Sequence, residues 1–129
     1  MVKRNACVFI SGYGSNLKSL ILKSRDYTFP INISLVICNN KNANGILYAK
    51  KNSIPYFLVN TKNKNFEEDI LRKIKNYKIS IICLAGFMKI LSKKFIRNFR
   101  KRIINIHPSL LPKYKGLKTF ERVLFDKEK

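Results

Sequence analysis

Asn105 and His107 stand two residues apart in the run "RIINIHPSLLPKYKG", residues 102–116, and His107 is the only histidine in the chain. Alternate side chains of an extended strand project to the same side, so this spacing sets an amide beside an imidazole. The pair suits acyl transfer: an amide N–H can hold a developing oxyanion, and an imidazole exchanges a proton near neutral pH. A histidine that merely closes a strand with a backbone hydrogen bond has the same sequence. The pair therefore carries chemistry only if binding loops lie beside it.

Two other stretches have the composition of such loops. In "SGYGSN", residues 11–16, Gly12 and Gly14 permit a tight turn, and Ser15 or Asn16 is predicted to cap the helix that follows. The free N–H groups of that helix start would face an anion, which makes this turn a candidate phosphate site. A purely structural turn looks alike, and the stretch is not a dinucleotide fingerprint, because Leu17 stands where its third glycine would fall. The other stretch is "LAGFMKILS", residues 84–92. In open parallel sheets ligands collect outside the carboxyl ends of the strands, so these two loops and "NIHPSLLP" can share one cleft.

The elements needed to position them are legible as an alternation. Short β-branched runs at 6–10, 31–37, 55–59, 79–85 and 102–106 are predicted strands. Helical spacing of apolar residues predicts helices over 15–23, 44–51 and 66–77. Strand and helix in turn imply an α/β fold with right-handed crossovers and a parallel sheet. Glu67, Glu68 and Asp69 fall in the first turn of the third helix, where they suit its dipole and read as a solvated helix start. One domain over residues 1–129 is expected from the length.

Composition narrows the class of protein. An apolar content of 46% is that of a folding chain and excludes a disordered one. Lys+Arg 27 against Asp+Glu 7 gives a formal net charge of +20, which by itself suggests a polyanionic partner. The lysines form no stripe, however, and the Tyr and Phe residues fall in core-like runs, so nucleic acid is not the expected partner. Cys7, Cys38 and Cys83 form no CxxC pair and lie in apolar runs, which predicts buried reduced thiols and no metal site. With no leader pattern and no apolar run of membrane-spanning length, a cytoplasmic chain without a membrane partner is expected.

The stretches "SGYGSNLKSLI", "LAGFMKILS" and "INIHPSLLPKYKGLKTFERVL", in this order and spacing, resemble the phosphoribosylglycinamide formyltransferases. The resemblance implies a Rossmann-like open, mostly parallel sheet with helices on both faces. It also implies transfer of a formyl group from 10-formyltetrahydrofolate, a co-substrate, to the amine of glycinamide ribonucleotide in de novo purine biosynthesis. Gly14, Ser15 and Asn16 would take the phosphate. Met88, Lys89, Ile90 and Leu91 would line the pteridine pocket through backbone groups, with lysine at 89 where the family more often has arginine. Asn105 would contact the formyl group and stabilise the oxyanion, and His107 would act as general acid. Methionyl-tRNA formyltransferase and formyltetrahydrofolate deformylase fit worse, the first in the segment after "SLLP" and the second in the early glycine loop.

The resemblance also carries a departure. Family members continue well past position 129 and have an aspartate that partners the histidine. The acids after His107 here, Glu121, Asp126 and Glu128, do not match it, and residues 60–66 hold no arginine for the folate contact the family makes there. A chain with little activity of its own is the corresponding expectation, whether a C-terminally truncated product, the remnant of a decaying gene or one part of a split enzyme that a C-terminal fragment would complement. The alternatives are an inactive remnant or ligand-binding module and, less well supported, a nonspecific nucleic-acid binder.

Overall fold

The computed structural model describes residues 2–12 and 14–106. The chain alternates β1 (Arg4–Ile10), α1 (Ser15–Ser24), β2 (Ile31–Cys38), α2 (Gly45–Lys51), β3 (Tyr56–Leu58), α3 (Phe66–Asn76), β4 (Ile81–Leu84), α4 (Lys93–Asn98) and β5 (Arg102–Asn105). The five strands form one sheet in the order β3-β2-β1-β4-β5, and every neighbouring pair is parallel. This is the open α/β architecture expected from the alternation. The chain runs outward from β1 through β2 to β3, then returns to the other side of β1 for β4 and β5. Because right-handed crossovers put the helices of the two halves on opposite faces, α1 and α2 cover one face and α3 and α4 the other.

Strand alternation divides the core accordingly. Ala6, Val8, Ile10, Val36, Cys38, Ile81, Cys83 and Ile104 face α1 and α2, against Leu17, Leu20, Ile21, Ile46 and Ala49. Cys7, Phe9, Leu35, Ile37 and Ile82 face the other way, against Ile70, Ile74 and Phe95. Both faces of β1 and β4 are buried, which is why "ACVFI" and "IICL" read as unbroken apolar runs. Phe95 is fully enclosed and its ring meets Phe9 edge-on with centroids 6.3 Å apart. Truncating such a ring to alanine costs about 3–5 kcal/mol.

The expected bounds shift in physically readable ways. β3 is only Tyr56–Leu58, because it pairs with β2 on one side alone and its Tyr56 and Leu58 side chains are exposed. α2 begins at Gly45 and α3 ends at Asn76. The helix α4 has no counterpart in the sequence reading: its six residues bury Phe95 alone, too short a stripe to show a period. A register shift between Ala6 and Cys7 in the β1–β2 pairing adds local twist.

Candidate functional site

The strand order reverses between β1 and β4, and the crevice outside the carboxyl ends of strands at such a point is where open α/β sheets bind ligands. The loops after β1 and β4 are the two stretches singled out by composition. Their strands are in register up to the edge of the crevice, with Phe9 opposite Leu84, and the Ala85 N–H donates to the Phe9 carbonyl at 2.9 Å.

After β1 the chain turns at Gly14, which occupies the N-cap position of α1 with φ 77°. The expected capping by Ser15 or Asn16 does not occur: among the described residues no side chain caps α1, and Ser15 is already its first residue. A cap in the left-handed region favours glycine, and glycine has no side chain to spend on the helix N–H groups. Those groups therefore remain available to an anion, and the first turn carries no acidic residue to compete. The turn is also pressed against the start of α2. A Cβ on Gly14 would lie 2.5 Å from Gly45 Cα, and the Gly45 N–H donates to the Gly12 carbonyl at 3.3 Å. Gly45, not singled out from the sequence, is thus what lets the two chain segments touch.

After β4, Gly86 turns with φ 78° and Phe87 packs its ring edge-on against Phe9, centroids 5.2 Å apart. The Met88 N–H donates to Ser11 Oγ at 2.7 Å, tying this loop to the exit of β1. Ser11 is nearly buried and its carbonyl accepts from Asn40 Nδ2 at 3.2 Å, so the exit of β2 joins the same network. Leu91 is buried in the α3/α4 layer, whereas Met88 and Ile90 are 84% and 90% exposed. Lys89 is exposed, with its ammonium 5.9 Å from the centre of the Phe66 ring. The loop is thus fixed at its ends and open at its apolar tip.

The third expected loop is reached only at its start. Asn105 closes β5 opposite Leu84, is exposed, and shares the alternation of Ile103 on the α3/α4 face; the following Ile106 N–H donates to the Leu84 carbonyl at 2.8 Å. Asn105 is therefore beside the loop after β4, in the row that runs Asn105, Leu84, Phe9, Ile37 across the sheet. His107 lies outside the described residues. Gly14, Ser15, Asn16, Met88, Lys89, Ile90 and Asn105 lie at the exits of β1, β4 and β5, whereas Leu91 is packed into the core beneath α3 and α4.

The three cysteines are free and buried. Burial raises the Cys7 thiol well above its ordinary range, with Cys83 adding to the effect, and pushes Cys83 up to about 12. Cys38, next to the cleft at the end of β2, is also raised by burial, against the opposing effect of the Asn40 backbone hydrogen bond. None is a thiolate at neutral pH, so none is set up as a nucleophile. Ser11, Gly45, Glu67 and Ser92 are the residues near the site that sequence reasoning passed over. Ser92 caps α4, accepting from the Phe95 N–H at 3.1 Å, and donates from its own N–H and hydroxyl to the Glu67 carboxylate. A serine just before "KKFIRNF", with Phe95 and Phe99 four apart, was the signal available for α4.

Comparison with known proteins agrees with this geometry. The family described as Formyl transferase matches residues 4–129. A phosphoribosylglycinamide formyltransferase of Haemophilus influenzae is 41% identical over 125 residues, covering 94% of this chain and 59% of that protein. The trifunctional purine biosynthetic protein adenosine-3 of Drosophila melanogaster is 39% identical over 133 residues, 98% of this chain but 10% of that protein. The crystal structure of phosphoribosylglycinamide formyltransferase from Brucella melitensis superposes with TM-score 0.78 at 36% identity, over 97% of this chain and 67% of that one. A glycine turn and an apolar-tipped loop around one switch point, on a sheet shared with these proteins, lead to one conclusion: the chain belongs to the formyl transferase family, with the phosphoribosylglycinamide formyltransferases.

Proposed function

We propose that this site transfers a formyl group from 10-formyltetrahydrofolate to the amine of glycinamide ribonucleotide, a step of de novo purine biosynthesis. The observation that carries the reading is the joining of the glycine turn and the apolar-tipped loop across the switch point, through the Met88 N–H on Ser11 Oγ. The phosphate of the ribonucleotide would bind Gly14, Ser15 and Asn16, where the free N–H groups and dipole of α1 favour negative charge. The pteridine would rest on Met88 and Ile90, with the main chain of Met88, Lys89, Ile90 and Leu91 meeting its polar edge. When bound, the folate supplies a formyl group open to attack by an amine. Asn105 would donate to the formyl oxygen as negative charge builds there, and His107 would hold the proton that the departing nitrogen takes up.

Titration calorimetry with glycinamide ribonucleotide should give saturable binding to the chain and none to Gly14→Val. Equal binding by the two proteins would sink the phosphate assignment. In a formyl-transfer assay, Asn105→Ala should lower turnover by about 10²–10³, the usual cost of losing an oxyanion donor. Turnover unchanged by that substitution would remove Asn105 from the reaction.

A further inference from the structure

The acidic start of α3 makes one contact that its sequence does not announce. Glu67 reaches across to Ser92: the Ser92 N–H donates to Glu67 Oε2 at 2.8 Å and the Ser92 hydroxyl to Oε1 at 2.6 Å. Its neighbours on the same turn behave differently, since Asp69 pairs with Arg72 on its own helix and Glu68 is exposed. Ser92 is also the N-cap of α4, so one carboxylate grips the point where the loop after β4 enters that helix. At the other end Met88 is fastened to Ser11. The exposed tip of the loop is thus suspended between two side-chain anchors, one on the exit of β1 and one on α3.

We propose that Glu67 is a positioning residue for the formyl donor. A carboxylate that accepts two hydrogen bonds from one residue fixes orientation as well as distance, and here it sets how the main chain of residues 88–91 is presented to the pteridine. Without it, the loop would keep its Ser11 anchor but could pivot about Gly86, where a Cβ would meet no atom of the described residues within 4 Å. The proposal rests on the reading of this loop as the pteridine site, and the test separates the two.

Hydrogen exchange on the full chain, read by mass spectrometry, is combined with fluorescence titration of tetrahydrofolate for the wild type, Glu67→Ala, Glu67→Gln and Glu68→Ala. Glu67→Ala should speed exchange over residues 87–92 by about fivefold or more, as expected when a charge-assisted hydrogen bond is lost. It should weaken tetrahydrofolate binding by a similar factor and leave glycinamide ribonucleotide binding unchanged. Glu67→Gln keeps an acceptor for the Ser92 N–H and should recover much of both. Glu68→Ala removes the same charge from the same turn and should behave as wild type. Unchanged exchange in Glu67→Ala, an equal change in Glu68→Ala, or a loosened loop with undiminished tetrahydrofolate affinity would each overturn the positioning role. A loosened loop in a chain that binds no tetrahydrofolate in any form would instead overturn the pteridine reading and the role that depends on it, leaving only a structural anchor.

Discussion

Gly14 and Gly86 adopt nearly the same left-handed backbone, φ 77° and 78°, on either side of one cleft, yet their surroundings are opposite. A Cβ at Gly14 would collide with the main chain of Gly45, while one at Gly86 would meet no atom of the described residues within 4 Å. The first turn is held by direct backbone contact with the start of α2. The second is held by side chains at a distance: Phe87 on Phe9, Met88 on Ser11 and Ser92 on Glu67. A turn closed by direct backbone contact tolerates no added atoms. A turn held through side-chain tethers can be adjusted one side chain at a time.

Substitutions at these points would break or sharpen that contrast. Gly14→Ala should have the largest effect, about 3 kcal/mol or more, because left-handed strain adds to a backbone collision that no rotamer can relieve. Thermal unfolding should fall by at least about 10 °C, and a melt within a few degrees of wild type would show that the Gly14–Gly45 contact can yield. Ser11→Ala should come next, at about 1–3 kcal/mol, since it leaves the Met88 N–H without its acceptor. Its mark should be selective, with tetrahydrofolate binding weakened and ribonucleotide binding kept; equal loss of both ligands would mean that the two loops are not separable. Gly86→Ala should be mildest, about 1–2 kcal/mol of conformational strain alone. A cost at Gly86 equal to that at Gly14, measured by denaturant unfolding, would remove the distinction between a jammed turn and an open one.

The parts legible in the sequence were those set by local pattern. "ACVFI", "INISLVI" and "ISIICLA" are apolar because both faces of their strands are covered, and the glycine turn announced a strand-to-helix junction. What stayed hidden depends on partners far along the chain. Glu67 looks like any acid at a helix start until Ser92, 25 residues away, folds beside it. Gly45 looked like an ordinary position in the helix predicted over 44–51, because its reason is Gly14. The capping expectation for Ser15 and Asn16 failed for a local cause: a left-handed residue at the cap position calls for glycine and shifts the serine into the helix. Asn105 was placed by alternation alone, and its neighbour in the sheet, Leu84, was not predictable without the strand order.

The buried thiols give this fold a means of reporting on itself. Cys7 is enclosed in the layer under α3 and α4, and Cys83 in the layer under α1 and α2, each with no exposed surface. Neither ionises in place, so an alkylating reagent can reach them only when one layer of helices lifts away. Labelling of Cys83 before Cys7 would mean that the α1–α2 side of the sheet opens first, and the reverse order that the α3–α4 side does. The two sulfurs on adjacent strands thus act as separate clocks for the two halves of the molecule.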